Sequence, residues 1–352
     1  MKTHLFRVSG FVSILLLFAA SALAANGHDI LVVTSTNDPS GNAAVVFKLN
    51  PSASTLTLVN TLPTGGNGGA SGNAGAVQFS NSSGAVVNYG SNTVSRLVRE
   101  GNSISVAGNV ALASKCVQPV SVALKNQHAF IVGSNCAESH SWPEGNLEGS
   151  VVTLTDSSSA QIAVGQTWAA ITQTSGAVLK LPLTEHGALA GTSVPVPLPG
   201  NANNTPLGEA FWGDILGFNP AHSPDSFALV NASGTVFPVL GPQPAYPSNA
   251  PCWLAKGTGN IWYSGNSPGQ AVSIFFSDSE GGVFYKSISV PGVPTDITVS
   301  PDQKWLAVIY TASNGSGATV SVFSIDQYGD LTLTATSAPI GVSSFSGIAI
   351  SE

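Results

Sequence analysis

Hydrophobic and polar positions alternate along this chain in short runs. The clearest stretch starts at Pro294-Thr-Asp-Ile-Thr-Val-Ser300, turns through Pro301-Asp-Gln-Lys304 and resumes as Trp305-Leu-Ala-Val-Ile-Tyr310. Two more runs follow, Val320-Ser-Val-Phe-Ser-Ile325 and Leu331-Thr-Leu-Thr334. Short alternating runs, and a short continuous apolar run bounded by turn residues, both read as strands, so the stretch predicts four short strands separated by turns. Blurred copies recur about every 35 to 50 residues, a spacing typical of repeated supersecondary units.

That period predicts an all-β chain folded as a β-propeller. Seven segments read as inner strands: Ala74 to Ser80, Gln118 to Lys125, Gln166 to Gln173, Gly213 to Asn219, Asn249 to Lys256, Pro294 to Ser300 and Phe345 to Ser351. Their starts are 44, 48, 47, 36, 45 and 51 residues apart, which makes seven units. The last has no strands after it, whereas Ile30 to Thr36, Ala44 to Asn50 and Thr55 to Leu62 lack an inner strand. The two ends are therefore expected to pair, Gly347 to Ser351 against Ile30 to Thr34, closing a seven-bladed ring and removing free sheet edges. Residues 150 to 250 carry the weakest pattern, and a six-bladed count stays open there.

Composition adds a compartment. Residues 1 to 25 combine Lys2 and Arg7, an apolar run from Phe11 to Ala20 and the small-residue exit Ala22-Leu-Ala24. This reads as a secretory signal, leaving residues 26 to 352 as one extracellular propeller. No other run is long enough for a membrane helix. Only 8 % of the chain is charged and the net charge is −7, becoming −9 once Lys2 and Arg7 are removed. Such a chain offers nothing to a phosphate backbone, so nucleic acid is not an expected partner.

The unit Pro-x-Asp-Ile-x-Val-Ser-Pro-Asp-x-Lys-Trp-Leu-Ala-Val, followed by Val-Ser-Val-Phe-x-Ile-Asp-x-x-Gly-x-Leu, resembles the lactonase-like seven-bladed propellers, the family of carboxymuconate cyclases and phosphogluconolactonases. The match is good over 294 to 352, fair over 29 to 140 and poor between. The resemblance implies His, Glu and Arg side chains over a central channel, the Arg gripping an anionic substrate. This chain departs from it: beyond the signal its only arginines are Arg96 and Arg99, in the third strand of the second blade, where both are expected to face outward.

In such a blade, the loop entering the inner strand and the loop between the second and third strands share one face. Three segments are assigned there: Gly65 to Gly75, an insertion from Ser134 to Gly149, and Asn201 to Gly213. They make His140, Glu144 and Glu209 the candidate catalytic groups and Trp142 and Trp212 the candidate stacking surfaces for a small organic molecule or carbohydrate. The competing reading is that these are solvated loop residues.

Other motifs carry less. Gly265-Asn-Ser267-Pro-Gly269 matches a nucleophile elbow, but Pro268 has no N–H for an oxyanion and a strand follows. Gly65 to Gly75 lacks a P-loop Lys and reads as a flexible loop. His28, His128, His186 and His222 are scattered without metal-ligand spacing, so no metal or cofactor is expected. Cys116 and Cys136 should emerge on one face of the third blade and form a disulfide, leaving Cys252 as a buried thiol. Sequons at Asn81, Asn203, Asn231 and Asn314 would be glycosylated in a eukaryotic secretory pathway.

Two functions follow: a monomeric, non-catalytic propeller presenting its loops to a neutral ligand, carbohydrate or protein surface, and a cyclase or lactone hydrolase acting on a small organic acid. The scarcity of Arg favours the first and the resemblance favours the second.

Overall fold

The computed structural model describes residues 29–71, 74–198, 203–222, 227–231, 236–237, 239–240, 250–278, 281–312, 317–341 and 345–352. The expected signal segment, 1 to 25, and Asn314 lie outside them. The described residues form seven sheets, six of four antiparallel strands and one of five, in which the short strand Val239–Leu240 adds in parallel to Gly281–Ser289. Each sheet is a blade, and the inner strands of neighbouring blades pack on one another around a central channel.

Blade 1 joins the two ends of the chain. Ser346–Ser351 is its inner strand, followed outward by Ile30–Ser35, Ala43–Asn50 and Thr55–Pro63. Its register pairs Leu31 with Ser351, Val32 with Ile350, Val33 with Ala349 and Thr34 with Ile348, so the two ends pair as expected. Arg99 of blade 2 reinforces the seam. Rather than facing outward it is 5 % exposed, and its guanidinium donates to Ser351 Oγ and to the carbonyls of Asp29 and Gly101. A buried guanidinium needs such acceptors. Arg96 does lie toward the exterior, donating to the carbonyls of Pro143 and Ala107.

The inner strands of the other blades are Val77–Ser80, Pro119–Lys125, Ser159–Val164, Pro206–Trp212, Pro251–Lys256 and Gly292–Val299. Two expectations are corrected. Gln166 to Gln173 and Gly213 to Asn219 fall on the second strands of blades 4 and 5, Trp168–Gln173 and Ile215–Pro220. Second strands are buried on both faces, so they read as the most apolar run of a blade. The true inner strands there, Ser-Ala-Gln-Ile-Ala-Val and Pro-Leu-Gly-Glu-Ala-Phe-Trp, carry polar residues toward the channel. Both blades nonetheless have four strands, which settles the count at seven.

The expected insertion from Ser134 to Gly149 is also corrected. It is the third strand of blade 3, Cys136–Ser141, a turn, and the start of the fourth, Leu147–Thr153. The polar sequence Cys-Ala-Glu-Ser-His-Ser concealed a strand whose first five residues are buried. The turn, carrying Trp142 and Glu144, lies on the face opposite the strand-entry loops. Cys116 and Cys136 form the expected disulfide, Cα atoms 5.3 Å apart, and Cys252 is free. No helix among the described residues is long and apolar enough to cross a membrane.

Candidate functional site

Inner strands enter the ring through a recurring irregularity. In blades 3, 5, 6 and 7 a Pro opens the strand (Pro119, Pro206, Pro251) or sits near its start (Pro294), and the register slips just after it. The slip bends the strand and re-aims the next side chain. Ser121, Glu209, Trp253 and Asp296 follow these slips, and Gln161 follows the matching one in blade 4.

A cavity of about 270 Å³ occupies the channel, with Gln78, Gln161, Glu209 and Asp296 in its wall and Lys125 and Lys256 at the far ends of their strands. The described end of the Gly-rich stretch, Ala74 and Gly75, lies against the inner strands. Ala74 N–H donates to Ala160 O at 3.2 Å, while Gly75 O accepts from Val122 N–H at 3.0 Å. Gly75 N–H donates to Asp296 Oδ2 at 3.1 Å. The end of this segment thus bridges blades 3, 4 and 7. Gly75 is required: its φ is +67°, and a Cβ would sit 3.0 Å from Ser121 Oγ.

Glu209 is 1 % exposed, and neither carboxylate oxygen makes a well-formed hydrogen bond. Burial pushes its pKa well above the ordinary 4.5, while the backbone amides of Ala163 and Thr172 pull weakly the other way. Its backbone is held by Gln161, whose amide accepts from Glu209 N–H at 2.8 Å and donates to Glu209 O at 3.0 Å. Asp296 accepts from Ile297 N–H at 2.8 Å as well as from Gly75, and burial raises its pKa to about 7 against the pull of these amides. At neutral pH the channel therefore presents carboxyl groups able to carry protons.

The lysines are already engaged. Lys256 Nζ donates to the carbonyls of Gly257, Gly259 and Ile261 and lies 5.4 and 5.0 Å from the Trp212 and Trp262 rings; burial lowers its pKa to about 8. Lys125 Nζ donates to the carbonyls of Val164 and Gly165, and burial lowers its pKa against the attraction of Asp214. No Arg lines the cavity.

Of the catalytic candidates, only Glu209 lines this cavity. His140 is buried within blade 3, its Nε2 2.8 Å from Glu138 Oε1 and its Nδ1 3.0 Å from Gly145 O. Burial lowers its pKa, but the contacts with Glu138 and Gly145 outweigh this and the net shift is upward. Glu144 is exposed on the turn. Trp142 is 5 % exposed and packs in the core of blades 2 and 3, whereas Trp212 is 44 % exposed beside Lys256. Asn81 and Asn203 are exposed and Asn231 is half-buried. Sequence reasoning passed over Asp296 and Gln161 because it sought site residues in the loops, whereas both lie within inner strands.

No protein-family model matches the sequence, and no curated protein does. Solved structures do. A protein from Lactobacillus plantarum superposes with a TM-score of 0.67 at 16 % identity, over 93 % of this chain and 100 % of that one. A protein assigned as a 6-phosphogluconolactonase from Bacteroides fragilis gives 0.66 at 11 %, over 94 % and 99 %. The virginiamycin B lyase of Staphylococcus aureus gives 0.53 at 14 %, over 80 % and 96 %. Assigned activities differ across this architecture, so the likeness is one of fold: the chain is a seven-bladed β-propeller.

Proposed function

We propose that the channel binds a small neutral molecule rich in hydroxyl or carbonyl oxygens, a sugar or a lactone, with protonated Glu209 and Asp296 as hydrogen-bond donors. The carrying observation is the buried carboxyl of Glu209, whose oxygens make no well-formed hydrogen bond, in a cavity whose ammonium groups are engaged by backbone carbonyls. A dianionic acid would find no free guanidinium there. The second reading is lactone hydrolysis, favoured by Asp296, whose pKa of about 7 suits a general acid or base at neutral pH, and by the fold it shares with assigned phosphogluconolactonases. Secretion is part of the proposal: the Cys116–Cys136 disulfide is compatible with an oxidising compartment, and Asn81 and Asn203 are exposed for glycosylation. Calorimetric titration of the purified protein with neutral sugars and lactones, against their carboxylated or phosphorylated counterparts, is the test. Binding is expected for a neutral compound and weakened at least ~10-fold in Glu209→Leu, which removes both polar oxygens. Tighter binding of the anionic counterparts would refute it, and turnover of a lactone lost in Asp296→Asn would select the hydrolase.

A further inference from the structure

Blade 3 holds a second polar cluster, away from the channel. Cys136, Glu138 and His140 occupy alternate positions of one strand and so project from the same face. All are buried, Glu138 fully, and Cys116 meets them from the loop before the inner strand. The two Sγ atoms and a Glu138 oxygen lie within 4.8 Å of one another. Both Glu138 oxygens accept from Ala113 N–H, at 3.2 and 3.1 Å, and Oε1 also meets His140 Nε2. A disulfide alone does not require a buried carboxylate and imidazole beside it, since neither contributes to the S–S bond. Two thiolates and a carboxylate backed by an imidazole are, however, a zinc donor set.

We propose that this cluster is a zinc site in the reduced chain and a disulfide in the oxidised one. Cys116 Sγ, Cys136 Sγ and Glu138 would be the ligands, with water in the fourth position. His140 holds the carboxylate from behind, itself anchored through Nδ1 to Gly145 O. A tetrahedral zinc ion sets its donors roughly 3.3 to 3.8 Å apart, within reach of groups already this close. The exchange balances: a dithiol passes two electrons to the Cys116–Cys136 bond and becomes a disulfide itself. The two thiols formed then lose two protons to solvent as Zn²⁺ binds. Oxidation by a disulfide of the same class reverses every step and expels the ion.

The test uses the whole chain, unfolded with a phosphine reductant and refolded with or without Zn²⁺ or Co²⁺. Expected are one bound ion per chain, two protons released on binding, and a cobalt spectrum with a thiolate charge-transfer band and the visible bands of a tetrahedral site. The oxidised chain should bind none, and Cys252→Ser should bind as the parent does. Glu138→Gln and His140→Asn should each weaken binding at least ~10-fold, the range for ligands and their supporting groups. Cobalt bound without the charge-transfer band, or binding unchanged in Cys136→Ser, overturns the proposal. A reduced chain that folds but binds no metal, or that stays unfolded with and without it, overturns it equally.

Discussion

Glu209 isolates a choice that a buried carboxyl faces. Ionised, it would hold an uncompensated charge where neither oxygen has a full partner; protonated, it is an ordinary polar group short of acceptors. Burial favours the protonated form. Glu209→Gln, which keeps the shape and stays neutral, should therefore change stability at pH 7 by less than about 1 kcal/mol. A carboxylate doing structural work through charge would instead cost about 3 kcal/mol or more on losing it. Chemical denaturation of the two proteins at pH 7 distinguishes these outcomes. Asp296 differs because three backbone amides, those of Gly75, Ile297 and Ile348, favour its ionised form, which places its titration near neutrality.

Elements converge on the channel through backbone positions that admit no side chain. At the ring seam, Gly347 has φ +77°, and a Cβ there would lie 2.4 Å from Val77 N and 2.8 Å from Val77 Cγ2. Both the left-handed backbone and the contact with blade 2 exclude alanine, so Gly347→Ala should cost about 3 kcal/mol or more and lower the melting temperature by several degrees. An unchanged melting temperature would mean that the seam tolerates a shift of the inner strand. This glycine lies in a segment whose pairing was readable: Ser346–Ser351 is a short apolar run buried throughout, and an inner strand without followers must find partners at the other end of the chain. Legibility failed where burial or chemistry broke the alternation. Trp168–Gln173 is buried on both faces, which drew the inner-strand assignment one strand outward, and the buried polar strand Cys136–Ser141 resembled a loop. The candidate site suffered most, because His140, Glu144 and Glu209 were grouped by a shared face, whereas only Glu209 reaches the channel.

At the scale of the whole molecule, the perturbed groups among the described residues mostly favour acid. Asp296 rises to about 7, Glu352 rises to about 7 chiefly through burial and its neighbour Asp302, and Glu209 is raised as well. A carboxyl whose folded pKa lies above its unfolded value binds its proton more tightly when folded. Its contribution is therefore complete below about pH 4 and is lost as the pH rises through the folded value. His140, also raised, acts in the same sense between its ordinary 6.5 and its higher folded value. Asp302, lowered to about 2, together with Asp38 and Asp156, lowered by hydrogen bonds to neighbouring serines, opposes this only as the pH falls below about 4. Stability should thus be greatest near pH 4 to 5 and decline toward pH 8, with Asp296 alone accounting for on the order of 4 kcal/mol of that decline. Melting temperatures measured from pH 4 to 8 should fall with rising pH, and Asp296→Asn should flatten the segment between about 4 and 7. A melting temperature that climbs from pH 5 to 8 would mean that the channel carboxyls are ionised and paired with a cation, and the neutral-ligand reading of the cavity would fall with that result.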